Sequence, residues 1–292
     1  ATGCAHYWGR TLRDMGHTVR LLPPQHVKAF CRNHKSDSHD AIAIMEAASR
    51  PNIHPVPIKS LTQQDLQLVN RQRKRLVQRR TQAINQMRGC AREYGVFFAR
   101  TRAVVMSRIP EALEDGENGL TDVARQYLFD LYVEIRELDE RIKAVEAKIL
   151  ALSERHSEYH ALLKVPGLGP IIVAALVAAG IGRGQFKNGR HCAAWLGLVP
   201  RQKGSGDRHE LYGITKSGDR ELRTLLVHGA RTVCAWAVRK ERDDALGRWI
   251  RSLVDRRGMN RAVVALANKL ARIAWAVVNH GEDYDMKKAF GG

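Results

Sequence analysis

A thin α/β layer followed by a mostly helical chain is the fold class that the sequence predicts, and three observations carry it. Residues 1–58 alternate short helical and extended patterns, residues 128–152 hold apolar side chains at heptad spacing, and the stretch from 218 to 279 reads as amphipathic helices. These shifts divide the chain into three segments, 1–58, 59–157 and 158–292.

At the front, a helix around His6 to Met15 gives way to the extended run Thr18-Val19-Arg20-Leu21-Leu22, which Pro23 and Pro24 stop. Short helices at 25–33 and 38–49 come next, then a second extended stretch from His54 to Ile58. So few strands suit the C-terminal half of a larger α/β domain. From Leu61 to about Tyr94 the pattern is helical. Six cations in ten residues (Arg71, Arg73, Lys74, Arg75, Arg79 and Arg80) sit there with apolar Leu66, Val69, Leu76, Ile84 and Met87 on a packing face. A charge run of this kind is commonly a solvated face, but the absence of interleaved acids favours phosphate contact. Leu128, Leu131, Ile135, Leu138, Ile142, Val145, Ile149 and Leu152 are spaced 3-4-3-4-3-4-3, a coiled-coil seam. It pairs either with helix 61–94 or with another subunit; the sequence does not separate the two.

Lys164-Val-Pro-Gly-Leu-Gly-Pro170 between apolar runs reads as helix, glycine hairpin, helix. It resembles the helix-hairpin-helix module, in which amides such as those of Gly167 and Gly169 meet a phosphate. A plain turn between packed helices has the same composition. Pro200 to His209 reads as a glycine- and cation-rich loop. Ser205, between two glycines, has an unencumbered hydroxyl, and Arg201, Lys203 and Arg208 are candidates for holding a phosphate against it, although Gly-Ser-Gly is more often a simple turn. The loop runs into Lys216, Arg220 and Arg223 and two or three arginine-rich amphipathic helices, which together suggest a nucleic-acid-facing domain.

The 292 residues carry 48 Lys plus Arg against 30 Asp plus Glu, a net charge of +18. A polyphosphate partner is the first expectation, because neutralising phosphates releases condensed counterions. The longest apolar stretch, Ile171 to Ile181, is too short for a membrane span. Five scattered cysteines without a C-x-x-C pair indicate neither a disulfide framework nor a zinc knuckle, and fit a reducing, cytoplasmic setting. Against this basic background Asp37 and Asp40 stand out. Three residues apart on a helix they share a face, and carboxylate oxygens suit a hard cation such as magnesium. The plainer reading makes Asp37 a helix N-cap and Asp40 a first-turn acid complementing the helix dipole.

In order, these pieces resemble the one-ten family of insertion-sequence transposases, also called bridge-RNA-guided recombinases, over nearly the whole chain. The carrying stretches are Gly16 to Pro24, Lys35-x-Asp37-x-x-Asp40-Ala41, Arg50-Pro51, Gln82 to Gly89, Pro166 to Pro170, Gly197 to Pro200 with Ser205-Gly206, and Ile214 to Arg223. The resemblance implies a partial RNase H-like (RuvC-like) domain with a DEDD magnesium site, long coiled-coil helices, and a C-terminal domain that supplies a serine. Asp37 and Asp40 match the family's last two carboxylates and Ser205 its nucleophile. It also implies a serine–DNA phosphodiester intermediate, homo-oligomers with centres shared between subunits, and a structured guide RNA. The family's first aspartate and its glutamate would precede Ala1, so a chain of these residues alone is expected to be impaired. Two rivals are a structure-selective junction nuclease with water as nucleophile, and a non-catalytic nucleic-acid-binding fragment.

Overall fold

The computed structural model describes residues 3–31, 36–182, 184–205 and 208–291, with Ser205, Arg208 and His209 described through their backbone alone. The described residues are mostly helical, with one two-stranded sheet. Contacts group them into two compact units, residues 1–64 with 154–292, and residues 65–153.

The first unit begins with α1 (Ala5–Asp14), α2 (Pro24–Val27), a 3₁₀ turn at Lys28–Phe30 and α3 (Asp37–Ser49). Gly9 lets Ile58 approach α1, since a Cβ there would stand 3.1 Å from the isoleucine side chain. Arg10 ties the same helix down by donating to the Lys59 carbonyl and to Gln64 Oε1 at 2.8 and 2.9 Å. The two extended stretches meet in a single antiparallel bridge, Leu21 to Val56, instead of forming paired strands. Pro23 and Pro24 end one stretch and Pro55 and Pro57 flank Val56, so the donors a ladder needs are missing. The expected α/β layer is therefore reduced to one bridge, over a small nucleus of Leu22, Ala47 and Ile53.

The second unit is built from α4 (Leu61–Glu93), which enters it from the first, α5 (Arg102–Glu114) and α6 (Asp122–Ser153). The heptad positions Leu128, Leu131 and Ile135 share one core with Ala83, Ile84, Met87 and Ala91 of α4 and with Val105 and Ile109 of α5. Arg73 pairs with Glu146, Arg80 with Asp139 and Gln86 with Tyr127, a descending order that makes α4 and α6 antiparallel neighbours. The apolar seam thus finds its partner in the same chain.

The first unit resumes with α7 (Glu158–Leu163), α8 (Pro170–Ala179), α9 (Gly189–Trp195), β1 (Pro200–Ser205), β2 (Arg208–Ile214), α10 (Arg220–Arg239), α11 (Ala245–Arg257), α12 (Met259–His280) and α13 (Met286–Phe290). The segment expected as a loop from 200 to 209 therefore supplies the sheet. Helix α12 is the centre, packing against α7, α9, α10 and α11. Its buried stripe of Ala262, Val263, Leu266, Ala267, Leu270, Ala271 and Ala274 lets those neighbours come close. By length and composition alone it could cross a bilayer, with 22 residues and a mean hydropathy of 1.3 over its most apolar 18-residue window. Asn268 and Lys269 interrupt its apolar run, which is why the stretch ending at Ile181 looked longer; Asn268 donates to the Leu198 carbonyl at 3.1 Å.

Candidate active site and nucleic-acid interface

The strands β1 and β2 are antiparallel, with Gln202 opposite Leu211, Lys203 opposite Glu210 and Ser205 opposite Arg208. Ser205 is the last residue of β1; Gly206 of the serine motif, like Lys35 of the carboxylate motif, lies outside the described residues. The base of this hairpin is clasped. Gly197 and Gly218 both have left-handed φ, +68° and +70°, and a Cβ would stand 2.4 Å from Ser217 N at the first and 1.8 Å from the Trp195 carbonyl oxygen at the second. Lys216 N–H donates to the Gly197 carbonyl at 3.1 Å and Thr215 N–H to that of Val199 at 2.9 Å. Lys216 makes this turn at φ 57°, a conformation rare outside glycine. Arg223 Nη1 donates to the carbonyls of Leu196 and Ser217 at 3.0 and 2.6 Å, and Asp219 caps α10 by accepting from Glu221 and Leu222 N–H. The motif stretches Gly197–Pro200 and Ile214–Arg223 are thus one device that fixes the hairpin to α10.

Strand β2 carries a polar cluster that the sequence reading missed. The Tyr212 hydroxyl donates to the Glu210 carboxylate at 2.6 Å, and Lys203 Nζ lies 5.7 Å from the Tyr212 ring centre. The hydrogen bond to Glu210, with a smaller contribution from burial, pushes the Tyr212 phenol above its ordinary pKa. Residues 210 and 212 share a face at the period of a strand. Reading the glycines as a loop hid that spacing.

In α3 the cap is Ser36, whose hydroxyl accepts from His39 N–H at 3.3 Å. Asp37 is therefore the first helical residue and not the cap, and Asp40 follows in the same turn. Asp37 is exposed and Asp40 half-buried, with Cys31 Sγ 4.0 Å from Asp40 Oδ1. Helix α3 packs chiefly against α2 and the 3₁₀ turn, and the hairpin strands chiefly against each other. These contacts do not bring the carboxylates and the serine strand together.

Of the cations expected to face phosphate, several meet protein first. Arg73, Arg79 and Arg80 pair with Glu146, Glu134 and Asp139 of α6 at 2.6, 3.7 and 2.7 Å, so the acids absent from the stretch Arg71 to Arg80 come from the helix beside it. Arg71, Lys74 and Arg75 are exposed, as are Arg201, Lys203, Lys216 and Arg220. In the glycine hairpin, Gly167 (φ +96°) is turned inward, its would-be Cβ 3.1 Å from Leu270 and Val233, whereas Gly169 opens onto free space. Gly229 of α10 receives the hairpin: a Cβ there would stand 2.1 Å from the Gly167 carbonyl oxygen.

Residues 159–245 match the model of the transposase IS116/IS110/IS902 family, and residues 2–96 match a DEDD-type IS110 transposase model. A probable family 20 transposase of Pseudomonas aeruginosa is 44% identical over 97% of this chain and 84% of its own length. The chain belongs to the IS116/IS110/IS902 transposase family. The transposase for insertion sequence element IS1111A of Coxiella burnetii is 40% identical over 97% of this chain and 78% of its own. That for IS1328 of Yersinia enterocolitica is 36% identical over 95% and 81%. The protein is accordingly an insertion-sequence transposase, as the ordered motifs indicated, and acts on DNA. One matched region holds the carboxylate pair and the other the hairpin.

A DEDD-type transposase domain implies a divalent metal. Asp37 and Asp40 offer the right donor type. Among the described residues, however, no group of three or more His, Cys, Asp or Glu is placed to hold a metal. Asp37 and Asp40 are two carboxylates, too few by themselves to close such a site.

Proposed function

We propose that this transposase cuts and rejoins DNA through Ser205, beside a magnesium site of DEDD type to which Asp37 and Asp40 contribute. The observation that carries the reading is the clasp, which spends two glycines of forced conformation, an arginine and a helix cap on holding the strand that ends at Ser205. Positioning at that cost suits a nucleophile more than a surface turn. In the reaction the serine oxygen attacks phosphorus and one DNA hydroxyl leaves with a proton. A second DNA hydroxyl then attacks the seryl phosphodiester and restores the serine. Each step exchanges one P–O bond for another, so no external energy source is required. Bound magnesium would supply charge stabilisation at the phosphate. Arg201, Lys203 and Arg208 would hold the scissile phosphate, and Lys216 and Arg220 would extend the cationic track.

The three segments then have distinct tasks. Residues 1–58 are a partial RuvC-like (RNase H-like) metal domain, 59–157 a coiled-coil arm presenting Arg71, Lys74 and Arg75 to nucleic acid, and 158–292 the serine domain, with Gly169 in a helix-hairpin-helix-like turn. With the chief contacts of α3 and of the hairpin made elsewhere, a centre shared between subunits of a homo-oligomer would join them, and exposed Phe129 and Val133, one turn apart on α6, offer it an apolar face. A structured guide RNA for target choice accords with the basic surface. The test is a denaturing gel of the protein with a complete family metal site, DNA and its guide. Wild type should leave a covalent protein–DNA band and Ser205→Ala none. Cleavage that survives in Ser205→Ala would instead assign the nucleophile to water, as in a junction nuclease.

A further inference from the structure

Between α12, the start of α9 and residues 282–289 lies a cavity of about 750 Å³, within the size of small-ligand sites and apart from the hairpin and the carboxylates. Ile273, Ala276 and Val277 line it with apolar surface. Two further lining residues, Trp275 and Tyr284, add an indole and a phenol to its wall; their polar atoms, Trp275 Nε1 and the Tyr284 hydroxyl, are buried away from it and have no hydrogen-bond partner among the described residues. Burial pushes the Tyr284 phenol up to about 12. Buried groups of this kind are rare in finished cores and are normally matched by a partner. Arg190 and Arg272, both exposed, also line the cavity, and neither has an ion-pair partner among the described residues. The nearby acids, by contrast, are occupied: Asp283 by Lys164 at 2.7 Å, Glu282 by Lys288 at 2.5 Å, and Asp285 as the cap of α13.

An apolar slot with an indole and a phenol in its wall and two guanidinium groups for a phosphate is complementary to one unstacked nucleotide. We infer that this cavity takes a nucleotide splayed from the nucleic acid the transposase handles, the base lying on α12 against Trp275 and Tyr284 and the phosphate on Arg190 and Arg272. The segment 282–289 that lines one side of the cavity carries solvent-exposed ion pairs, which are weak enough to yield to a ligand. The inference does not depend on Ser205 or on the metal, because it concerns binding alone.

The test measures the affinity of short oligothymidylate, short oligouridylate and a blunt duplex at fixed salt, for wild type and for Ala276→Trp, which fills the slot. Single-strand binding should weaken roughly tenfold while duplex binding stays unchanged. A strand of abasic sites should bind wild type and variant alike. Loss confined to the deoxyribose strand assigns the nucleotide to DNA, loss confined to the ribose strand assigns it to RNA, and loss on both means that the pocket reads the base irrespective of the sugar. Equal loss on duplex and single strand, or none on either, overturns the inference. Should Ala276→Trp fail to fold, Arg272→Ala at an exposed position must show the same preference for the single strand.

Discussion

Gly218 shows how little room the hairpin clasp leaves at the level of single residues. A methyl at Gly218 would overlap the Trp195 carbonyl oxygen and would also strain a left-handed backbone. Gly218→Ala is therefore expected to destabilise the fold by about 3 kcal/mol or more, read as a lowered melting temperature. Asp219→Ala, one residue on, removes only the cap of α10 and should cost about 1 kcal/mol. Both residues stand in a motif visible in the sequence. What could not be read there was the use of Arg223: a guanidinium spent on two carbonyls looks the same in sequence as one reserved for phosphate. Arg223→Lys should lower stability, since a single ammonium cannot reproduce the fork that reaches both carbonyls.

The helical pair makes the same point for elements. Heptad spacing announced α6 and its buried stripe, because a helix puts those positions on one side. Its partner was a tertiary matter, settled by the acids that meet the cations of α4. Asp139, 9% exposed, accepts from both Arg80 and Arg102. Burial alone would raise its carboxyl, but the two guanidinium groups outweigh burial and hold it below its ordinary value of 3.8. A depressed folded pKa contributes stability that is complete above the unfolded value and is lost as pH falls through the folded one. Acid unfolding of the arm should therefore begin below about pH 4 in wild type, and this pH-dependent portion should vanish in Asp139→Asn. At neutral pH that variant should lose about 2 kcal/mol, less than a fully buried pair would, because both arginines remain partly wet. In the N-terminal segment the pattern misled in the other direction. Extended stretches were recognisable, yet prolines on both sides of Val56 leave too few donors for a sheet, and only one bridge forms.

For the whole molecule, the excess of cations predicts DNA binding whose logarithmic affinity falls linearly with the logarithm of salt. Arg71→Ala and Arg75→Ala, at exposed positions, are each expected to reduce that slope by about one and leave the melting temperature unchanged. Arg80→Ala should do the reverse, lowering the melting temperature with little effect on the slope, because its charge is already neutralised by Asp139. Family and partner class were determined by the sequence itself: net charge is a sum over residues, and ordered motifs survive without knowledge of their contacts. Helix periodicity was equally accessible, since it depends only on spacing along one element. Which cations are spent on carboxylates, which glycines admit a backbone, where Trp275 and Tyr284 leave polar atoms unmatched, and that a glycine-rich stretch pairs into strands were decided by tertiary structure. Each of these depends on a group distant in the chain, and burial and pairing are properties of neighbours that no local pattern encodes.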